Sequence, residues 1–425
     1  MGSFYHRIKD SLNEKLPVKF SGRPSEKTET SDYHQAKFAR IARYGEQPQV
    51  PIQAPRLTVA LKNRTSSSNV YAYITGRALD CDNAPVFIQS DAKSLYFPES
   101  PCEILSPVMK DVGIKLGAPG NTVQAEIPRM CGGRIWFSVG APLIFRINPG
   151  PAVVEPSITN QTDPNFNTVW DFVEFTYNEH QLFANITWVD MFCLPLSISL
   201  TNTNGNTQTV QGMPASGMST IVNELKAQAA RDNRPWDKLI YYCNDRPHRI
   251  ISPNQLMVTN AKVWGDYWTD YVQKVWARFT TQDMIINTQA APGNVRGRVV
   301  DGKLNIPGAG SFLPPKALDI FTCSTGPFIT GSNQCRNAVI PRLAAAFNRT
   351  TLLQTCDQFP NGSKPIDYYK NPVTNHYSRI LHQVALDGRG YTFPYDDVVP
   401  DGGEDVAGVV HDGCPKLFTI GVGGG

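Results

Sequence analysis

Short apolar runs, each closed within a few residues by Gly, Pro, Asn or Asp, constrain this chain more than any other feature. Leu57–Leu61, Val70–Ile74, Val86–Ile88, Gly133–Val139, Leu143–Ile147 and Leu194–Leu200 all have this form. Runs this short do not make ordinary helices, and their β-branched and aromatic content suits a pleated sheet. With 33 Gly and 33 Pro in 425 residues, turn formers are plentiful enough to punctuate a many-stranded sandwich or barrel. A mainly β protein is expected.

After Asn202 the period changes. Ser219–Arg231 places Ile221, Val222, Leu225 and Ala229 on one helical face, with Ser219 or Thr220 as N-cap. Asp266–Phe279 does the same with Trp268, Val272, Val275 and Phe279, and Asn337–Asn348 and Thr374–Leu386 are further helix candidates. The chain then divides into a polar extension (1–45, with a short helix near Phe4–Leu16), a β-barrel or sandwich domain (46–201), a mixed α/β domain (202–386) and C-terminal strands that return to the barrel (387–425). Tyr267, Trp268, Tyr271 and Trp276 have helical spacing and read as core rather than as a sugar-stacking platform. His376 and His382, six apart on a helix, do not share a face and read as structural or surface residues.

Composition narrows the function. Charged residues are 18 %, aromatics 10 % and the net charge +3, with basic residues scattered, so nucleic acid is not an expected partner. No apolar run approaches the roughly 20 residues of a membrane span. The first 20 residues lack an apolar stretch, so no secretory leader is expected from them. Nine cysteines include no CxxC pair and no His cluster at zinc spacing, so no metal site is expected. Cys193 reads as a buried thiol. Asn-X-Ser/Thr sequons begin at Asn63, Asn160, Asn185, Asn348 and Asn361.

Against this charge-poor background two carboxylates stand out. Glu174 lies in Trp170–Asn178 and Asp190 in Ala184–Phe192, 16 positions on. Ionised side chains are costly in apolar strands. Each reads either as a rim or ion-pair residue or as half of the pair that glycosidic hydrolysis requires. Alternation puts Glu174, Thr176 and Asn178 on one strand face. A tight turn at 178–181 would set Glu174 opposite Asn185 and leave Asp190 five residues further, roughly 17 Å away. An inverting pair sits about 6.5–9.5 Å apart, so the segments must curve, bulge or cross. Asp171, Asp396 and Asp397 read as structural before they read as sugar ligands.

Several blocks in order carry a resemblance. They are Gly132–Ser138, Asn148–Ala152, Trp170–Thr176, Val189–Phe192 with Leu194–Pro195, Asn371–Tyr377, Asp387–Tyr391 and Phe393–Asp397. Across roughly 46–424 the chain resembles glycoside hydrolase family 64, β-1,3-glucanases of the laminaripentaose-producing type with a thaumatin-like fold. The resemblance implies a barrel-like domain and a smaller α/β domain flanking a wide cleft. It implies inverting cleavage of β-1,3-glucan by a monomer, with Glu174 as general acid and Asp190 as general base. Thr176, Asn178 and Thr187 fall on sugar-contacting positions, and Phe183 stands where the family has an aromatic platform. The family is typically secreted, so localisation stays open. No GxSxG elbow or HExxH is present, which argues against a protease. A thaumatin-like glucan-binding protein without catalysis is the alternative.

Overall fold

The computed structural model describes residues 55–354 and 358–424. The helix expected at Phe4–Leu16, the polar extension and Cys356 lie outside the described residues.

Two large sheets dominate. In the first, the strand order is Thr207–Val210, Leu196–Asn202, Pro415–Val422, Leu57–Asn63, Thr122–Ile127. The first and last long strands of the chain run parallel there, with Val59 opposite Phe418, and the other pairings are antiparallel. The second sheet has eight strands. Its order is Val409–Asp412, Leu182–Ile186, Val169–Tyr177, Met130–Val139, Val70–Ala78, Ala84–Ile88, Leu95–Tyr96, with Ile114–Lys115 also paired to Val70–Ala78.

Val59, Leu61, Ile198, Phe418 and Ile420 of the first sheet share one core with Ile74, Ile135, Val173 and Phe175 of the second. The Phe175 and Phe418 rings meet at 6.5 Å. The opposite face of the second sheet carries a smaller core of Tyr73, Phe87, Trp136, Phe145, Trp170 and Phe172. The Trp170–Val173 part of the Val169–Tyr177 strand is therefore covered on both sides, which explains why its apolar residues do not alternate. Gly133 lies opposite Phe175, where an added Cβ would stand 2.5 Å from that ring. The glycine is what lets the aromatic lie across its neighbour.

Helices span Gly217–Asp232, Pro253–Thr259, Thr269–Thr281, Ala317–Thr322, Gln334–Asn348 and His376–Val384. Tyr267, Trp268, Tyr271 and Trp276 are all buried in the core, as their spacing predicted. Among the described residues, no helix is long and apolar enough to cross a membrane.

Some local expectations change. The Gly217–Asp232 helix begins after Ser216; Ser219 and Thr220 instead turn their hydroxyls back to the Ser216 carbonyl, at 2.8 and 3.2 Å. Leu143–Ile147 gives a strand only at Arg146–Asn148. The amides of Leu143 and Ile144 are met by the Tyr73 hydroxyl and the Asn165 side chain, at 2.9 and 2.7 Å, instead of by a neighbouring strand. A further sheet of Gly310–Phe312, Lys303–Ile306, Asn294–Val300, Met284–Asn287 and Gln358–Phe359 had no counterpart in the sequence reading. Its longest strand, Asn294–Val300, alternates buried with exposed residues and so lacks an apolar run.

Candidate active site

Val169–Tyr177 and Leu182–Ile186 form a hairpin in which Glu174 faces Asn185 and Thr176 faces Phe183. The turn is closed by Asn178: its amide donates to the Gln181 carbonyl at 3.0 Å, and its side-chain oxygen accepts from His180 and Gln181 N–H, both at 2.9 Å. On the other side Glu174 faces Arg134 of Met130–Val139, and that pairing bulges between Phe175 and Tyr177. One sheet face thus presents Arg134, Glu174, Asn185, Thr176 and Phe183.

The straight extrapolation from Glu174 to Asp190 does not apply, because the second strand ends at Ile186 and the chain bends before Asp190, whose charge acts on Glu174. Thr187 bridges to Tyr391, and the Trp188 amide donates to the Tyr391 carbonyl at 2.6 Å. The Trp188 carbonyl accepts the Tyr377 hydroxyl at 2.6 Å. Its ring lies on Gly390, where a Cβ would stand 2.0 Å from the indole. Beyond the bend, Met191–Phe192 pairs with Arg246–Ile251, and the Asp190 carbonyl accepts from Ser252 N–H at 2.9 Å. The Cys193 and Leu194 amides then donate to Asp171 Oδ2, at 2.8 and 3.0 Å. That clamp returns the segment to the strand that carries Glu174.

Asp190 takes a hydrogen bond from Gln255 Nε2 at 2.6 Å. Glu174 Oε1 takes two from Arg134 Nε and Nη2, at 3.2 and 3.1 Å. Arg134 Nη1 donates to Glu155. Burial first, then the charges of Asp190 and Glu155, raise the Glu174 carboxyl above its ordinary range, although Arg134 pulls the other way. Burial likewise raises Glu155, against Arg134. Burial works against the Arg134 charge, but Glu174, Glu155 and Asp190 outweigh it and raise its pKa. The three carboxyls and the guanidinium are one electrostatic group.

The remaining candidates occupy different settings. Thr176 and Thr187 are buried, and Thr176 Oγ1 has no hydrogen-bond partner. Phe183 is half-buried and stacks on His411, with ring centroids 6.4 Å apart. Asp171 is fully buried on backbone amides, and its pKa is pushed up to about 7 by burial. Asp396 is fully buried between Arg349 and His382, at 2.9 and 3.0 Å, whereas Asp397 is exposed. His376 accepts from Arg379 and reaches the Pro372 carbonyl. Among the described residues, no group of three or more His, Cys, Asp or Glu is placed to hold a metal. Cys193 is a buried thiol, pushed up to about 12 by burial. Asn63, Asn185 and Asn348 are buried, so these sequons are closed to a glycan in the folded chain.

Sequence reasoning overlooked Arg134, Glu155, Asn185 and Gln255 as site residues. Asn185 was legible from the hairpin register. It is buried, and neither polar atom of its side chain has a partner. Arg134 stood inside a resemblance block without a role. Glu155 and Gln255 reach the site from other elements and carried no local signal.

A desolvated glutamic acid coupled to a second carboxylate, on a sheet face with unpaired polar atoms, has the chemical groups that a glycoside hydrolase uses. The β-1,3-glucanase model of glycoside hydrolase family 64 matches residues 55–422. The chain belongs to that family. A glucan endo-1,3-β-glucosidase from Cellulosimicrobium cellulans is 26 % identical over 309 residues, 71 % of this chain and 53 % of that protein. The chain thus spans about half the length of the curated relatives it matches. A laminaripentaose-producing β-1,3-glucanase, solved with laminaritetraose, is 29 % identical with a TM-score of 0.76, over 86 % of this chain and 98 % of that one. A β-1,3-glucanase domain from Clostridium beijerinckii, at 22 % identity and TM-score 0.69, covers 88 % of this chain and 100 % of its own and shares the fold.

Proposed function

We propose that the chain hydrolyses β-1,3-glucan by single displacement. Glu174 donates its proton to the glycosidic oxygen as the bond to C1 breaks. Water attacks C1 from the opposite face, Asp190 takes the water's proton, and the new reducing end is released as the α-anomer. The observation that carries this reading is Glu174: a carboxyl in a block that resembles the family, desolvated and raised toward a donor's pKa, with Asp190 within electrostatic reach. Thr176, Asn178, Thr187 and Phe183 line the path of the sugar chain. Two carboxyls and a water suffice, so the reading calls for no metal or organic cofactor. It calls for no nucleic acid, membrane or second subunit.

We read the architecture as thaumatin-like, with a barrel-like domain over 46–201, a mixed α/β domain over 202–386, and 387–425 returning to the barrel. A wide cleft would lie between the two domains. The pairing of Pro415–Val422 with Leu57–Asn63 supports the return of the last segment.

Arg134 favours a second reading, because its ion pair with Glu174 opposes protonation. A carboxylate held ionised would bind glucan without cleaving it. Laminarin hydrolysis followed by proton NMR of early anomeric signals separates the readings. Release of α-anomers is expected from wild type, with kcat lowered about 10²–10⁴-fold in Glu174→Gln and Asp190→Asn. Early β-anomers would overturn the inverting mechanism. Binding with no new reducing ends would establish the binding reading.

A further inference from the structure

Arg134 has two carboxylate partners. Its Nε and Nη2 converge on one oxygen of Glu174, and its Nη1 is held by Glu155. The guanidinium has little freedom to choose between them. It lies over the rings of Phe172 and Trp136, at 4.9 and 5.5 Å. Trp136 is itself fixed by a 2.9 Å bond from its indole N–H to Thr75 Oγ1. Glu155 belongs to neither large sheet. It follows Ala152–Val154, the edge strand of a small three-stranded sheet with Arg146–Asn148 and Ser106–Pro107.

An undivided guanidinium beside an acid strips it of its proton, because an adjacent positive charge favours the ionised form. We infer that Glu155 is a positioning residue for the proposed acid: holding the Nη1 edge of Arg134, it fixes the guanidinium on Oε1 of Glu174, divides its charge, and leaves Oε2 to carry the transferable proton. The electrostatics agree. Glu155 and Asp190 both raise Glu174, while Arg134 lowers it. Among the described residues these are the leading charges that act on Glu174; its cross-strand neighbour Asn185 is neutral.

The inference rests on Glu174 as the acid, so wild type and Glu174→Gln are measured beside the Glu155 variants. The experiment is the pH profile of kcat/KM on laminarin, whose basic limb reports the acid of the free enzyme. In Glu155→Gln the basic limb is expected to fall by about one pH unit, the low end of what one adjacent charge does. Glu155→Asp keeps the charge and is expected to stay closer to wild type. A Glu155→Gln limb that coincides with wild type overturns the inference and leaves the hydrolase reading standing. Folded Glu155→Gln inactive at every pH overturns it too, since Glu155 would then be a reacting group. A wild type without hydrolysis overturns both. If Glu155→Gln does not fold, a ¹³C-carboxyl NMR titration of wild type decides. Coupled titration of Glu155 and Glu174 supports the inference, and independent titrations overturn it.

Discussion

Glu174 and Asp190 are held by opposite kinds of structure. Glu174 sits in the middle of a sheet, with a paired strand on either side and a residue in register with it on each. Asp190 sits outside any strand, at a bend secured by residues far along the chain: Tyr377, Gly390 and Tyr391 before it, Ser252 and Gln255 beside it. A ladder fixes a side chain through many small, repeated bonds. A bend fixes one through a few contacts, each of which matters more. The two halves of the proposed pair should therefore fail separately.

The largest expected effect comes from the clamp that joins them. Asp171→Ala leaves three buried amides, those of Phe172, Cys193 and Leu194, without this acceptor. At about 1–3 kcal/mol for each buried unpaired group, a loss of at least about 3 kcal/mol is expected. Chemical denaturation measures it. Activity lost in proportion to Asp190 displacement, with Glu174 still titrating as in wild type, would sharpen the contrast. Unchanged stability would break it.

Two glycines test each side in turn. Gly390→Ala drives a Cβ into Trp188 and Gly133→Ala drives one into Phe175. Each is expected to cost about 1–3 kcal/mol through overpacking. Trp188→Phe should relieve the first and Phe175→Leu the second, and thermal melts of the double variants check both. If either replacement rescued the other glycine, the two supports would not be independent. Tyr377→Phe removes only the hydroxyl bonded to the Trp188 carbonyl. About 1 kcal/mol is expected, with a fall in kcat that outlasts correction for the unfolded fraction.

The smallest net effect is pH-dependent, because two groups oppose. Burial pushes His376 down to about 4. The unfolded chain binds more protons there, so its contribution is present above about 6.5 and is lost as pH falls toward 4. Asp171, raised to about 7, binds its proton more tightly when folded. Its contribution is fully present below about 4 and is lost as pH rises through 7. Relative to wild type, His376→Gln should gain stability on acidification from pH 6.5 to 4, and Asp171→Asn should lose it. Urea midpoints across that range give the sign of each.

The β character, the hairpin register and the buried helical aromatics were legible in the sequence because they depend on neighbours a few residues away. Glu174 opposite Asn185 followed from one turn at Asn178 and the two-residue period of a strand. The family resemblance marked Glu174 and Asp190 out from the other acidic residues. Which charges surround them was a different matter. Arg134 is 40 positions from Glu174, Glu155 is 21 from Arg134, and Gln255 is 65 from Asp190. No local pattern encodes contacts of that range. The sequence determined that this chain would build sheets and set a glutamate in the middle of one. Only the tertiary structure decided that the charge of Asp190 acts on it and that Glu155 shares its arginine, because long-range packing and the loss of water fix charge–charge geometry.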